Sequence, residues 1–241
     1  MKLAAALAAV LKAREDSNRP LAVLLTGHNG SGKSTLWYEK LAPVLEMPLI
    51  NADRMMMSIL PPGDPRTWQP WARTLRDEDL QWMRVSQRGV QAFVAEAMAA
   101  QLPFATETVF SHWHVDATGR IESKITLVRE LQRAGYFVAL IFVGLDSVST
   151  SIARVARRVG EGGHAVPEDR LRARFPRTQK AIREAALVAD ATLMLDNSRA
   201  PAKAFTLCRA QLGPRTLYDL RLLPEPVARP VRHWLDVVSP A

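Results

Sequence analysis

The chain has 241 residues, enough for one large α/β domain or two small ones and for a sizeable hydrophobic core. Its formal net charge of +8, from 32 lysines and arginines against 24 acidic residues, fits either a nucleic-acid partner or a basic phosphate-handling segment. The single cysteine, Cys208, excludes an internal disulfide, and no apolar run reaches membrane-spanning length, so we expect a cytoplasmic protein with no membrane partner.

The domain organisation predicted from the sequence is simple. Residues 3–11 are apolar and Ala-rich, and we expect an amphipathic helix over residues 1–16 packed on the domain rather than a signal peptide, because the basic region before the apolar run contains only Lys2. No Gly/Ser-rich segment divides the chain. We therefore expect a single domain over residues 1–212 and a C-terminal extension over 213–241, with a short helix after Ala200 and docking through Trp234.

Residues 27–34 fit the phosphate-binding pattern G-x-x-x-x-G-K-[ST] without a mismatch. The apolar run 21–26 predicts a buried strand before this loop, and residues 33–41 predict a helix after it, which is the context that the motif requires. Glycines allow the backbone to wrap closely around phosphate oxygens, and the helix N-terminus adds N–H donors and partial positive charge. The sequence therefore predicts a nucleoside triphosphate site.

Two side chains of this loop have distinct expected roles. Lys33 would reach the β- and γ-phosphates, and the Ser34 hydroxyl would ligate Mg²⁺. The expected nucleotide-binding residues are Gly27, His28, Asn29, Gly30, Ser31, Gly32, Lys33, Ser34, Thr35 and Asn197.

Four more strand candidates follow and alternate with helical patterns. The strands are expected at 48–51, 104–108, 137–143 and 191–196, and the helices at 77–101, 119–134, 147–159 and 167–188. This alternation predicts a central five-stranded parallel sheet with helices on both faces. Ligands of such sheets bind at the edge formed by the carboxyl ends of the strands. That edge would bring the phosphate loop together with Asp53, Glu107 and Asp146.

Residues 55–83 are less regular, with a Pro-rich turn followed by Trp68, Trp71 and Trp82. We expect a helical hairpin whose tryptophans pack on the core, since large aromatic side chains are usually buried. The alternative is a substrate-side wall with exposed aromatic side chains.

Polar residues at the ends of the predicted strands are candidates for substrate chemistry. Asp53 could accept the proton of an attacking hydroxyl, although it could instead bind a Mg²⁺-bound water or cap a helix. Glu107 and Thr108 end the third strand, where a charge inside an apolar run is costly unless it is used. They could orient a substrate, or lie at a solvated strand end. Asn197 could border the nucleotide base or belong to a plain turn.

Residues 147–175 are expected to form a helical lid. Arg154 and Arg158 are four residues apart and share a helix face, where guanidinium groups could neutralise a phosphoryl group during transfer. The alternative is a solvated basic surface. Glycines at 160, 162 and 163 would supply hinges, and His164 could contact phosphate or cap the turn.

The arrangement resembles the zeta-toxin family of P-loop kinases, in particular its solitary branch with a Gly-Gly-His lid motif. The matching segments are residues 27–34 (GHNGSGKS), 51–53 (Asn-Ala-Asp), 104–111 (FATETVFS), 135–138 (GYFV), 151–155 (SIARV), 158–167 (RVGEGGHAVP), 174–175 (RF) and 196–198 (DNS). They occur in the family's order and extend over most of residues 20–200.

The resemblance implies a kinase-type P-loop NTPase fold. It also implies ATP-dependent phosphorylation of a sugar hydroxyl, with UDP-N-acetylglucosamine as the known substrate of the toxin branch. By the same resemblance, Lys33 and Ser34 hold phosphate and Mg²⁺, Asp53 is the catalytic base, and Glu107 and Thr108 meet the substrate.

The lid matches the family less closely than the rest of the chain does. Arg154 matches the first lid arginine, so that the expected catalytic set is Lys33, Asp53, Arg154 and Arg158. The toxins place a second phosphate-binding arginine just before a small-residue-Pro turn, and His164 occupies the nearest position here, so Arg157 or Arg158 could replace that arginine. The family also raises an antitoxin protein as a candidate partner.

Three hypotheses of function remain open at this point. The first is a Mg²⁺- and ATP-dependent kinase acting on a hydroxyl of a small, nucleotide-bearing molecule. The second is a kinase of nucleic-acid ends or tRNA, suggested by the positive charge, although no RNA-recognition motif is visible and we do not expect a nucleic-acid partner. The third is an NTPase switch. The sequence argues against it, because no apolar strand ends in the Asp-Glu pair of a Walker-B motif; the nearest acid of that type is Asp146.

Overall fold

A computed structural model describes residues 1–115, 121–163 and 165–240, so His164 lies outside the described residues. The helices are α1 (Leu3–Ser17), α2 (Lys33–Leu36), α3 (Ala42–Leu45), α4 (Ala52–Ser58), α5 (Pro70–Asp77), α6 (Leu80–Ala99), α7 (Ile125–Arg133), α8 (Val148–Gly160), α9 (Glu168–Ala186) and α10 (Arg229–Val238). The strands are β1 (Leu21–Gly27), β2 (Leu49–Ile50), β3 (Phe104–Thr108), β4 (Trp113–Val115), β5 (Ile121–Ser123), β6 (Phe137–Gly144), β7 (Ala191–Asp196), β8 (Thr206–Leu212) and β9 (Arg215–Asp219).

Within the described residues, seven strands form one sheet in the order β2-β3-β1-β6-β7-β8-β9, and β4 and β5 form a separate antiparallel pair. Strands β2, β3, β1, β6 and β7 are parallel, which confirms the predicted five-stranded parallel core of the sheet. Strand β1 lies between β3 and β6, so the loop that follows it is flanked by the carboxyl ends of both neighbours.

The short helix expected after Ala200 is present only as the three-residue 3₁₀ helix Pro201–Lys203. Strands β8 and β9 instead extend the sheet by antiparallel pairing on β7, through a hairpin whose turn begins at Gly213 with a φ of 50°. The Gly213-Pro214 dipeptide is a turn signal that favours this hairpin over a helix. The boundary that the sequence predicted between the domain and its C-terminal extension, after residue 212, lies between the two strands of this hairpin.

The sheet is covered on both faces. The cluster on one face contains buried residues of α7, α9 and α10, such as Leu131, Ile182 and Trp234. The cluster on the other face contains residues of α1 and of the segment after the phosphate loop, such as Leu7 and Trp37. Strands β1 and β6 are buried along their whole length, because a parallel strand with helices on both faces has no solvated side. None of the helices in the described segments is both long and apolar enough to span a membrane.

The helix after the phosphate loop extends beyond its predicted end. A π-helical segment over Trp37–Leu41 follows α2, and α3 continues to Leu45. Pro43 lies in the first turn of α3 and has no N–H to donate to a carbonyl four residues back, so the hydrogen-bond register changes just before it.

Helices α4, α5 and α6 pack around a small hydrophobic cluster of their own, formed by Met56, Leu60, Trp68 and Ala72 with Trp82 against it. The prediction of a helical hairpin with buried tryptophans was therefore correct for Trp68, and Trp82 is half-buried against the same cluster. It was wrong for Trp71, which is 57% exposed on the outer face of α5.

Trp234 on α10 is 1% exposed, and its indole contacts the ring of Phe142 on β6 edge-to-face at 5.8 Å between centroids. Gly144 leaves room for this indole, since a Cβ at that position would lie 3.1 Å from three ring carbons.

We expect Trp234→Ala to lower the free energy of unfolding by about 3–5 kcal/mol, because it removes a large buried ring and leaves a cavity. Urea denaturation followed by circular dichroism measures the change. Leu222→Ala is the matched control; its side chain is 80% exposed, so the loss should stay within about 0.5 kcal/mol. Equal losses in both variants would contradict the role of Trp234.

Candidate active site

The phosphate loop connects the end of β1 to the start of α2 and is held tightly by its surroundings. Gly32, immediately before α2, has a φ of 87°, and a Cβ there would lie 2.7 Å from the side-chain amide nitrogen of Asn197. Gly30 has a φ of 71°, and its Cβ would lie 3.0 Å from the Cβ of Arg154. Both positions therefore require glycine for conformation and for space.

Lys33 begins α2 with its side chain enclosed and only 8% exposed. Its ammonium group donates to the backbone carbonyls of Gly27 at 3.3 Å and His28 at 3.1 Å. Burial lowers the pKa of Lys33, opposed by the nearby carboxylates of Glu107 and Asp53, whereas the positive charge of Arg158 acts in the same direction as burial. The ammonium group is thus held inside the loop, surrounded by the charged groups that the sequence predicted for this site.

Glu107, near the end of β3, connects the loop to the next strand along the sheet. One of its carboxylate oxygens accepts from the Ser34 hydroxyl at 3.0 Å and from the Asn51 amide at 2.7 Å. The other lies 3.9 Å from the ammonium nitrogen of Lys33. Glu107 is therefore the centre of a polar network that joins the ends of β1, β2 and β3.

Asp53 lies in the first turn of α4, directly after β2, and is exposed. The N-cap of this helix is Asn51, whose side-chain oxygen accepts from the backbone N–H of Arg54 at 3.1 Å. The capping alternative for Asp53 was therefore wrong, since Asn51 fills that position. Asp53 instead lines an open cleft of about 340 Å³ together with Arg54, Met57 and Ser58.

The three arginines of α8 have different surroundings. Arg154 packs against Gly30 of the phosphate loop, and Arg158 is close enough to the Lys33 ammonium to influence its pKa. Arg157 is 79% exposed and lies 3.6 Å from Glu161, four residues along the chain. Arg157 is therefore directed into solvent, whereas the charge of Arg158 acts on Lys33.

Two side chains from distant parts of the chain hold the backbone of the loop. The Ser151 hydroxyl of α8 donates to the carbonyl of Asn29 at 2.7 Å, and the Asn197 amide donates to the carbonyl of Ser31 at 2.8 Å. Asn197 is 8% exposed, so its amide supports the loop from within the protein. Thr35 is exposed at the start of α2, and Thr108 is half-buried at the end of β3.

The His28 side chain is directed into the protein interior. The imidazole is 2% exposed and stacks on Phe175 of α9, with centroids 3.8 Å apart and an interplanar angle of 9°. Phe142 meets its edge at 5.6 Å. Burial, followed by the charge of Lys33, lowers the pKa of His28 to about 3, so the ring is neutral at physiological pH.

The residues of this site fit a hard divalent cation. Mg²⁺ prefers oxygen ligands and keeps part of its water shell beside substrate phosphates, so it does not require a cage of protein side chains. The Ser34 hydroxyl and the Glu107 carboxylate supply adjacent oxygens at the start of α2. Among the described residues no group of three or more His, Cys, Asp and Glu side chains forms a separate metal site.

The role of Asn51 in the site was not predicted from the sequence, and the site role expected for Asp146 is not supported by its contacts. Asn51 was quoted only within the Asn-Ala-Asp segment, although Asn before a helical pattern is an N-cap signal that could have identified it. Asp146 accepts from the Thr150 hydroxyl at 2.6 Å, and its backbone N–H donates to the Ser198 hydroxyl at 2.7 Å. These contacts assign Asp146 to the turn that starts α8.

The buried imidazole predicts a specific loss of stability in acid. The pKa of His28 is 6.5 unfolded and about 3 folded, so its contribution is complete above pH 6.5 and decreases as the pH falls toward 3. Between these pH values the free energy of unfolding should fall as the pH falls. We expect His28→Phe, which keeps an aromatic ring on Phe175, to reduce the slope of that free energy against pH by up to about 1.4 kcal/mol per pH unit.

Urea unfolding at pH 7, 5.5 and 4.5 tests this expectation. His233→Gln removes an exposed histidine and should leave the wild-type slope unchanged. A slope for His28→Phe equal to that of the wild type would show that His28 titrates normally in the folded chain.

The family model described as Zeta toxin matches residues 5–200 of this chain. A curated protein of Haemophilus influenzae (strain Rd), described as an uncharacterized protein, is 28% identical over 154 residues, which cover 64% of this chain and 91% of that protein.

Two solved structures are similar in fold. A chain of the PezAT chromosomal toxin–antitoxin system of Streptococcus pneumoniae has a TM-score of 0.54 at 13% identity, over 99% of this chain and 95% of that chain. A chain of the AvrRxo1-ORF1:-ORF2 complex with ATP has a TM-score of 0.59 at 14% identity, over 98% of this chain and 69% of that chain. With a family model that spans the phosphate loop, the strand-end network and helices α8 and α9, this chain belongs to the zeta toxin family of P-loop kinases.

Proposed function

We propose that this protein transfers the γ-phosphoryl group of ATP, with Mg²⁺, to a hydroxyl of a small nucleotide sugar such as UDP-N-acetylglucosamine. The observation that carries the proposal is the network at the ends of β1, β2 and β3, where Glu107 joins Ser34 of the phosphate loop to Asn51 beside Asp53. A phosphate site and a candidate base therefore lie on the same edge of the sheet, as transfer between two bound molecules requires.

The donor side depends on cations already gathered at the loop. Lys33 would exchange its bonds to the Gly27 and His28 carbonyls for phosphate oxygens, and Arg154 and Arg158 would neutralise the transferring group from α8. The Ser34 hydroxyl and the Glu107 carboxylate would hold Mg²⁺. When bound, that ion would neutralise negative charge on the phosphates.

The acceptor side depends on Asp53, Glu107 and Thr108. Asp53 is exposed to the cleft on α4, where it would accept the proton of the attacking hydroxyl. Glu107 and Thr108 at the end of β3 would orient the acceptor, with Asn51 fixing the Glu107 carboxylate by its 2.7 Å hydrogen bond. His164 remains a candidate substrate contact outside the described residues.

We also propose an antitoxin-type protein partner that covers the nucleotide site. The support is membership of the zeta toxin family together with the fold of a chain from the PezAT toxin–antitoxin system. Copurification of a host protein that suppresses ATP turnover and dissociates as activity returns would support this partner, and a fully active protein that copurifies with none would count against it.

Lys33→Ala should abolish phosphoryl transfer, because it removes the cation that the loop holds for the phosphates. Steady-state ATP turnover measures the effect, with thermal denaturation to show that the fold persists. Lys40→Ala removes an exposed lysine of the segment after the loop and should leave turnover unchanged. Retained turnover in a folded Lys33→Ala variant would remove the loop from the mechanism.

Asp53→Asn should preserve ATP affinity and reduce transfer by roughly 10²–10⁴-fold, since the amide cannot accept the proton of the acceptor. Single-turnover transfer and equilibrium nucleotide binding separate the two effects. Asp16→Asn, an exposed change on α1, should alter neither. An unchanged transfer rate in Asp53→Asn would assign Asp53 a structural role.

The acceptor itself is identified with γ-labelled ATP and Mg²⁺, offered UDP-N-acetylglucosamine, a small-molecule extract and total RNA in parallel. Label on the nucleotide sugar is the expected result. Label on another extract component or on RNA would replace the substrate and keep the kinase, and free phosphate at a rate that no acceptor changes would indicate an NTPase switch.

A further inference from the structure

Arg76 on α5 is a buried cation far along the chain from the lid that it touches. Its side chain is 9% exposed, and one terminal nitrogen donates to the carbonyl of Gly162 at 2.7 Å. Its other nitrogens bind both carboxylate oxygens of Asp77 at 2.8 Å, and the guanidinium lies 5.7 Å from the centre of the Trp68 ring. A guanidinium group is costly to bury unless its donors are used, so this position is specific.

The carbonyl that Arg76 binds belongs to the turn that ends α8. Gly162 has a φ of 89°, and its N–H donates to the carbonyl of Val159 at 3.0 Å, which closes the helix. The next N–H, of Gly163, donates to the carbonyl of Arg158 at 2.7 Å. A Cβ on Gly163 would lie 2.5 Å from the Cγ of Arg158, so the turn packs directly on this arginine.

We propose that Arg76 is a positioning residue that fixes the end of α8 so that Arg158 reaches the phosphate loop. This inference rests on the phosphate-binding role of Arg158 in the proposed function. The contact is also electrostatically favourable, because the C-terminal end of a helix carries partial negative charge. Through Arg76, the helices that carry the candidate base connect to the helix that carries the phosphate-binding arginines.

The same contact orders both sides of the transfer. Helix α4, which carries Asp53, packs on α6 next to Gly89, where a Cβ would lie 2.5 Å from the terminal carbon of Met55. Residues around Asp64 also contact Gly162, since a Cβ there would lie 3.4 Å from an Asp64 carboxylate oxygen. The turn of α8 is therefore seated on the α4–α6 segment, with the Arg76 hydrogen bond as its buried polar contact.

Kinetics of Arg76→Ala, Arg76→Lys and the control Arg73→Ala test the inference. Arg73 is exposed on the same helix, so its removal should change nothing. We expect Arg76→Ala to lower kcat by about 10-fold or more, with KM for the acceptor changed less than about 3-fold, since displaced catalytic groups cost rate more than binding. Arg76→Lys keeps a charge near Asp77 and Trp68 but lacks the planar fork; it should restore thermal stability without restoring kcat.

A double-mutant cycle with Arg158→Ala shows whether Arg76 acts through Arg158. The expected result is that Arg76→Ala costs less than about 2-fold in kcat once Arg158 is absent. A loss of equal size in both backgrounds would overturn the proposal. The proposed function predicts that Arg158→Ala loses kcat. If it does, but folded Arg76→Ala and Arg76→Lys both keep the wild-type kcat, the positioning role of Arg76 is overturned and the proposed function stands.

Amide hydrogen exchange tests the positioning role of Arg76 separately from the proposed kinase function, because it does not depend on activity. Arg76→Ala, or Arg76→Lys if alanine does not fold, should speed amide exchange over residues 158–163, whereas Arg73→Ala should not. Unchanged exchange would overturn the positioning role even in an active kinase. Faster exchange in a protein that transfers phosphate to no acceptor would retain the structural contact and reject the proposed function.

Discussion

The burial of the Lys33 ammonium group is the constraint on which the site depends. A cation with only 8% of its side chain exposed must be compensated, and the compensation comes from two loop carbonyls and from Glu107. Those groups can surround the lysine only because β1 and β3 are parallel neighbours whose carboxyl ends meet. The topology of the sheet and the charge balance of the site are therefore consequences of the same arrangement.

The loop around Lys33 is restrained from several directions at once. Ser151 of α8 holds the carbonyl of Asn29, Asn197 after β7 holds that of Ser31, and Phe175 of α9 stacks on His28. Each contact comes from a different element, and together they fix a segment whose glycines would otherwise leave it flexible. A pre-formed loop loses little conformational entropy when phosphate binds, which favours binding and precise placement of the transferred group.

The sequence predicted the parallel strands and the phosphate loop because both have strong local signals. Continuous apolar runs such as residues 137–143 are typical of strands buried on both faces, and the glycine-lysine pattern is specific. It did not predict β8 and β9, whose pairing depends on the edge of β7 and whose turn signal at Gly213 was overlooked.

The candidate site was predictable in its members and less so in their contacts. Glu107 and Asp53 were expected at the sheet edge because strand ends converge there, but the bond from Asn51 to Glu107 joins residues 56 positions apart. The four-residue spacing indicated that Arg154 and Arg158 share a face of α8, but which face of α8 packs toward the loop depends on contacts distant in the chain. Long-range packing therefore decides which arginine side chain lies toward the phosphate loop and which lies in solvent.

The arginines of the chain fall into two groups that a residue count does not distinguish. Several arginines form buried or half-buried ion pairs within the fold, such as Arg209 and Arg221 with Asp219 and Arg19 with Asp190. Others concentrate on α9 beside the loop, where burial and then the charges of Arg170 and Arg177 lower the pKa of Arg174.

Like charges held this close repel each other, and a polyphosphate bound at the neighbouring loop would relieve that repulsion. The positive charge of the chain is thus divided between ion pairs inside the fold and a cluster of arginines on α9 beside the phosphate loop.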